Sequence, residues 1–589
     1  MSPRRGSSRL LAVARGDEPA DLLITGGRVF VPGTREWIDT DLAIADGFIA
    51  GLGPRESLET VDVAGAALTA AFIDAHMHLE STKLWVDEFV RAVLPHGTTA
   101  VAADPHELAN VFGVPGVAAL ADAAAALPFT FGICASSCVP ASRFESPGAE
   151  LHVEQVIELL ETQGAIGIAE VMDFPGVIHG DAEVLAKIAA AGHRRVDGHA
   201  PGLSGRSLDA YLAAGVESDH ECTTLDEAVE KRRKGMWIFV RQGSASQNLA
   251  ALIPTVIGHG TDRVALCTDD REPDTLLGRG HVNDCIRLAV QHGVRIEDAL
   301  VIATANPADY HHFDHLGWLA PGYQADVLAF DDLGSLEPSL VWQRGRVVAR
   351  DGRLVDGAVP SSPPPDFLRS SVHLDNPPGR EAFASPASAR GRVNVIGVSS
   401  RTLSTRHLEM DLDAPEADLA RIAVVERHNE TGRVGLGYVS GFGLSRGAIA
   451  STVAHDAHNC MVVGSTGPGG PEDMALAVRR LAEIGGGQVA VLDGKVLAEV
   501  LLPIAGLMSD RSAREVAEEV ERLAKAAEAD LGVSIEAPFM QLSFLGLSVI
   551  PELRITDKGL VDVTSFQLIG VAASARGDEE PAQPPNSAL

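Results

Sequence analysis

The apolar run Ala71-Phe72-Ile73-Asp74-Ala75 ends in His76-Met77-His78. Side chains two residues apart on a strand leave the same face, so a buried strand here delivers two imidazoles together at its C-terminal tip. Two rings do not complete a cation site. A chain built around them needs a fold that gathers further donors from distant segments. Histidines at the start of a loop are otherwise commonly just solvated, so the pair gains weight only if other ligands follow in order.

Strand and helix patterns alternate downstream. Eight apolar runs fall at 68–75, 98–103, 129–135, 165–171, 195–198, 215–218, 237–241 and 264–268, most of them separated by alanine-rich amphipathic stretches such as 85–95 and 181–191. Eight strands with crossover helices predict an α/β fold built on a (β/α)8 TIM-type barrel over residues 71–316. The alternative, an open doubly wound sheet, usually has fewer strands and a Gly-rich phosphate loop after the first, which this sequence lacks. Short strands with Gly-containing turns at 21–70 return at 317–355, and the two segments are expected to pair into a small flanking β-sandwich domain. Residues 356–392, with Ser361-Ser362-Pro363-Pro364-Pro365 and Asn376-Pro377-Pro378-Gly379, read as a linker. Residues 393–572 read as a further α/β domain, and 1–20 and 573–589 as disordered ends. The 589-residue length requires several such units.

In a barrel, functional side chains collect at the C-terminal strand ends. The first run closes with His76 and His78, and the second with Asp104, followed by His106 and Glu107. The fourth gives Glu170, the fifth His199, and the sixth His220 and Glu221. The seventh gives Arg241, and the eighth Asp269 and Asp270. Four histidines, a glutamate and an aspartate suit two divalent cations, with Glu170 as a bridging carboxylate and Asp269 binding one ion and a bridging hydroxide. The mixed N/O donor set fits Mn²⁺ or Fe²⁺, with Zn²⁺ as an alternative. Each residue alone has an ordinary structural reading: a hydrogen-bonded core histidine, a buried ion pair, a helix cap. Those readings do not explain why all six close strands.

The formal net charge of −32 argues against nucleic acid and fits a small neutral or cationic substrate. The six scattered cysteines predict reduced thiols in a cytoplasmic protein, and no stretch is apolar for long enough to suggest a membrane span. The basic start MSPRRGSSRLLAVARG has an apolar run too short for a secretory signal.

These motifs resemble the amidohydrolase superfamily and, within it, the bacterial-type adenine deaminases. The resemblance spans about 20–565. It is carried by Phe72–Ser81, Asp104-Pro105-His106-Glu107, Gly167–Met172, Asp197–Gly202, Ser218-Asp219-His220-Glu221-Cys222 and Cys267–Arg271, and in the last domain by Gly447–Asp456 and Leu502–Asp510. Many superfamily members bridge their metals with a carboxylated lysine where this chain has Glu170, which disfavours hydantoinase-like readings. Asp173 stands where the family usually has Asn, close to the expected metal site, where it could tune charge.

The resemblance implies hydrolysis of adenine to hypoxanthine and ammonia (purine salvage) by a metal-bridging hydroxide that attacks the amino-bearing carbon. Asp269 would shuttle the proton, and Glu221, ahead of Glu107, would protonate the ring nitrogen. His106, Glu107, Arg271 and His281 are candidate substrate contacts, and Asp104 an orienting carboxylate. A homodimer or larger homo-oligomer is implied. The competing readings are a related deaminase or cyclic-amide hydrolase acting on another heterocycle, and a non-catalytic barrel assembly protein, which should have lost one of the ligands. His455-Asp456 with His458 could be another metal site, but packing over the barrel mouth or a subunit interface is preferred.

Overall fold

Eight short parallel strands close on themselves in a computed structural model that describes residues 6–385, 389–400, 402–412 and 418–573. They are β1 Phe72–Met77, β2 Thr98–Ala103, β3 Thr130–Ile133, β4 Gly167–Val171, β5 Arg195–Gly198, β6 Ser218–Asp219, β7 Trp237–Arg241 and β8 Val264–Cys267. Their residues are almost all buried, as expected of strands covered on both faces. β1–β2–β3, β4–β5 and β6–β7–β8 pair in parallel. A bridge from Ala135 to Ile168 joins β3 to β4, and Glu217 N donates to Val196 O at 3.0 Å beside β5. The ring is sealed where Asp269 N donates to His76 O at 3.0 Å and His78 N to Asp269 O at 3.3 Å. The metal-type residues therefore sit on the barrel's own closing seam.

The run at 68–75 divides between two sheets. Ala67–Ala70 pairs antiparallel with Val327–Phe330 in a seven-stranded flanking sheet, while Phe72–Met77 enters the barrel. The switch lies at Ala71, whose N–H donates to Asp326 O at 3.0 Å, before Phe72 N donates to Gly97 O at 2.9 Å. A four-stranded sheet, including Ala20–Thr25 and Leu42–Ala45, completes the flanking β region.

Residues 6–20 are ordered, contrary to expectation. Ser7 caps the helix Ser8–Arg15, and Gly16 closes it in the left-handed region (φ 86°). Leu10 and Val13 pack on Leu23, Ala43 and Ala45, and Arg9 pairs with Asp46 at 2.8 Å. The buried apolar face of this segment, Leu10, Ala12 and Val13, is enough to dock on a sheet but too short to register as an element. Residues 1–5 and 574–589, the rest of the expected disordered ends, lie outside the described residues. The proline-rich stretch 356–392 is anchored: Trp85 Nε1 donates to Ser362 O at 2.6 Å, and Leu368 and Phe383 are fully buried.

The C-terminal domain is an eight-stranded sheet of β9 Arg392–Gly397, β10 Arg406–Asp411, β11 Ala420–Val425, β12 Val434–Ser440, β13 Ala448–Ser451, β14 Cys460–Ser465, β15 Gly487–Leu492 and β16 Lys495–Leu501. Its order is β10-β9-β12-β11-β14-β13-β15-β16, antiparallel except between β9 and β12. The helix Gly470–Glu483 packs on it through Met474, Val478 and Leu481. The domain docks on the barrel mouth. Ser146 Oγ donates to Asp557 at 2.8 Å, Asn459 Nδ2 to Ser146 O at 3.0 Å and Ala513 N to Glu88 at 3.0 Å.

One described helix, His106–Ala125, is long and apolar enough to cross a membrane by length and composition. It breaks at Gly113 (φ 61°, ψ −150°), contains Pro115, and buries Leu108, Val117 and Leu120 in the barrel core. Its apolar face is thus used in packing.

Beneath β5 and β6, the fully buried Lys231 donates to Asp219 at 3.0 Å, Ala200 O at 2.6 Å and Glu227 at 2.7 Å. Burial opposes both charges, but the pairing keeps Lys231 protonated and holds the Asp219 carboxyl well below its ordinary range. Lys231→Met, which strands that carboxylate, is expected to cost roughly 3–5 kcal/mol in urea denaturation, against under about 1 kcal/mol for an exposed control such as Lys525→Met.

Candidate metal centre

Each strand end is fixed before it presents its ligand. Asp74 in β1 accepts from Thr268 N at 3.1 Å, Thr268 Oγ1 at 2.5 Å and His76 N at 3.3 Å, locking β1 to β8 just below the two histidines. Asp269 follows β8 with φ 59°, a left-handed conformation that Asp tolerates, in the residue whose backbone closes the barrel. His199 N accepts its place from Tyr211 by donating to the phenol oxygen at 3.1 Å, and Ala200 N donates to Asp219 at 2.8 Å.

His76, His78, Glu170, His199, His220 and Asp269 converge. Glu170 Oε1 lies 3.4 Å from His78 Nε2; Oε2 lies 2.5 Å from His199 Nδ1 and 3.4 Å from His220 Nε2. Asp269 Oδ1 lies 3.1 Å from His78 Nε2 and 3.6 Å from His76 Nε2. The His76 and His220 rings stack at 4.1 Å. All six are at most 4% exposed. Among the described residues, His76 Nε2 and His199 Nε2 have no hydrogen-bond partner despite burial. The orphaned His76 Nε2 facing Asp269, and the 3.4 Å spacings of Glu170 from His78 and His220, longer than ordinary hydrogen bonds, suit donors arranged for a divalent cation, while His199 Nδ1 touches Glu170 directly. Burial alone would raise the Glu170 carboxyl, but His199 and His220 hold it well below its ordinary range. Burial likewise opposes charge on His220, which Glu170 nevertheless pushes up to about 9.

Glu221 reaches the same cavity, but both its oxygens receive the Arg241 guanidinium, which also donates to Asp269 Oδ2 at 2.7 Å. Against the effect of burial, Arg241 lowers the carboxyls of both Glu221 and Asp269. Glu221 is therefore an acceptor in this arrangement. To protonate a ring nitrogen, as expected from the sequence, it must first leave the guanidinium fork and gain a proton. Arg241 went unassigned in the sequence reading, although a charged residue closing a buried strand was the available signal.

Asp104 borders the cluster, with one donor atom each of His78, Asp104, His106 and Glu170 within 4.8 Å of the others. Its Oδ2 lies 3.2 Å from His106 Nδ1, and its carbonyl meets His78 Nδ1 at 3.0 Å. His106 lines the cavity, and Glu107 lies just behind it against Ser81 and His455. Arg271 and His281, expected as substrate contacts, do not line it. Arg271 is fully buried against Asp284 and His281 O, and His281 sits under β1 between Asp74 and Thr98. Both lie past the β8 loop, where the chain turns back into the barrel wall. Asp173 is also spent elsewhere, capping the helix Phe174–His179 by accepting from Gly176 N at 2.8 Å. The C-terminal domain supplies the cavity's far wall with His455, Asp456, Phe544, Leu547 and Ile550. The apolar members of that wall had no sequence signal, because a packing face and a substrate-facing wall read alike.

An amidohydrolase family model matches residues 67–348, and an adenine deaminase C-terminal domain model matches residues 399–567. Adenine deaminase 2 of Carboxydothermus hydrogenoformans is 43% identical over 574 residues, covering 96% of this chain and 99% of its own length. The adenine deaminase of Methanothrix thermoacetophila is 44% identical over 568 residues, covering 95% and 98%. The chain belongs to the adenine deaminase family. Amidohydrolases are metal-dependent, and the buried His/Asp/Glu cluster is this adenine deaminase family member's candidate metal-binding site.

Because Arg241 lowers two cavity carboxyls, Arg241→Gln is expected to move the acid limb of the pH–rate profile upward by about one unit or more. The sign follows from the pairing: without the guanidinium the carboxylates protonate at higher pH, so activity is lost earlier as pH falls. Arg241→Lys should recover part of the shift.

Proposed function

We propose that the chain hydrolyses adenine to hypoxanthine and ammonia, serving purine salvage in the cytoplasm as a homodimer or larger homo-oligomer. The observation that carries the reading is Glu170, a buried carboxylate within 3.4 Å of ring nitrogens from His78, His199 and His220. His76, His78, Glu170, His199, His220 and Asp269 would hold two divalent cations, Mn²⁺ or Fe²⁺ ahead of Zn²⁺. When bound, such ions would supply the Lewis acidity that makes water nucleophilic at neutral pH.

Asp269 would take the proton released as water adds to the amino-bearing ring carbon, and would hand it to the departing amino nitrogen. Glu221, once substrate draws it from Arg241, exchanges a proton at the adjacent ring nitrogen. Asp270 offers a polar edge to the base, and Phe544, Leu547 and Ile550 meet its faces and exclude water. The assembly-protein alternative loses ground because every expected ligand is retained and converges. Action on another aminated heterocycle is separated by substrate panel.

Asp269→Asn should keep the fold by circular dichroism while lowering ammonia release from adenine by roughly 10²–10⁴-fold or more. Near-normal turnover would remove Asp269 from the proton path. Stripping divalent metal with a chelator should abolish ammonia release, and Mn²⁺ should restore it. No ammonia from adenine by the fully metal-loaded protein would reject the substrate.

A further inference from the structure

The seam between barrel and C-terminal domain holds a second group of ligand-type side chains that the six-residue centre does not use. His106 and Glu107 come from the segment after β2, and His455 and Asp456 from the loop after β13; none is more than 3% exposed. His455 Nδ1 lies 3.4 Å from Glu107 Oε1 and 3.5 Å from Asp456 Oδ1, and His106 Nε2 lies 3.6 Å from that same Asp456 oxygen. One ligand atom each of His106, Glu107 and His455 falls within 4.8 Å of the others.

These separations are long for hydrogen bonds, and among the described residues Glu107 Oε2, His455 Nε2 and Asp456 Oδ2 are buried without a partner. They do match the edge of a tetrahedron of N/O donors about one cation, about 3.4 Å for bonds near 2.1 Å. The same spacing recurs around Glu170, at 3.4 Å to His78 and to His220.

We propose that this seam binds a further divalent cation through Glu107, His455, Asp456 and His106 Nε2, in addition to the two assigned to the Glu170 centre. The mixed imidazole and carboxylate donors select Mn²⁺, Fe²⁺ or Zn²⁺. His458 stands outside the ligand set. Its Nδ1 accepts from Ala454 N at 3.0 Å, which leaves the ring hydrogen on Nε2, 3.7 Å from Glu107 Oε2. Ser81 Oγ, donating to Glu107 Oε1 at 3.1 Å, orients the carboxylate. Two ligands belong to each domain, so the ion ties the C-terminal domain to the barrel mouth, and the His455 ring is itself braced by stacking on Phe544 at 4.2 Å and 6°.

The test is an anomalous-difference map from crystals of the full chain loaded with Mn²⁺, joined to metal analysis after removal of free ion. Density between Glu107 and His455, separate from density beside Glu170, is expected, with three Mn²⁺ per chain falling to two in Glu107→Gln and in His455→Gln. If one variant fails to fold, the other is read. Peaks beside Glu170 with none at the seam, or a metal count that neither variant changes, would overturn the seam ion. A seam peak without any at Glu170 would instead defeat the catalytic centre proposed above and leave the seam ion standing.

Discussion

Buried carboxylates at the barrel mouth are the constraint on which the rest of the molecule depends. Glu170, Glu221 and Asp269 are 2–5% exposed, and an ionised carboxylate taken from water is costly unless paired and hydrogen-bonded. Four imidazoles and Arg241 meet that demand, each from a different strand end apart from the His76–His78 pair. Such convergence requires a closed barrel. It also explains why polar anchors lie one layer below the ligands. Asp74 ties β1 to β8, Asp197 accepts from Tyr310 at 2.7 Å beneath His199, and Lys231 neutralises Asp219 beneath His220. Each fixes a strand tip so that a ligand's position is set by the barrel rather than by a loop.

The barrel was legible because burial on both faces leaves continuous apolar runs, and the residue closing each run is the first free to be polar. The six ligands therefore emerged in chain order. Residues one step further along were not legible. Arg271 turns away from the mouth to pair with Asp284, and His281 lies beyond the helix Pro273–Arg279, which carries the chain into the barrel wall. Asp173 shows the same limit from the other side: one residue beyond Met172, its side chain is already committed to a helix cap. The small N-terminal helix was missed because eight residues show too little period to separate a docked helix from a polar start.

Of the far wall of the cavity, His455 and Asp456 carry a signal in the sequence, while Phe544, Leu547 and Ile550 do not. The wall depends on how the C-terminal sheet meets the barrel, and that docking is set by scattered long-range pairs such as Ser142 with Ser548, at 2.6 Å across 406 residues of chain. Arg427, fully buried, acts on the other side of the seam: it donates to Ser371 O and Ala505 O, each at 2.9 Å, and engages His458 O, which pins the loop carrying His455 and Asp456. The barrel and the loop thus reach the cavity from separately anchored supports.

That division of labour has a chemical consequence. Charged donors concentrate on the barrel side, where they can be neutralised by cations and by Arg241. The C-terminal domain brings Phe544, Leu547 and Ile550, which need no counter-charge, and confines its own charged groups there to His455 and Asp456 at the seam. A planar, neutral base with polar edges suits such a cavity: one edge faces ionic groups, the ring faces meet apolar side chains, and little water stays between them. An acyclic or strongly charged substrate would leave the apolar wall wet or the barrel charges unbalanced. The second domain therefore matters to selectivity through its apolar members, because the section of wall formed by Phe544, Leu547 and Ile550 offers no counter-charge to a ligand placed against it.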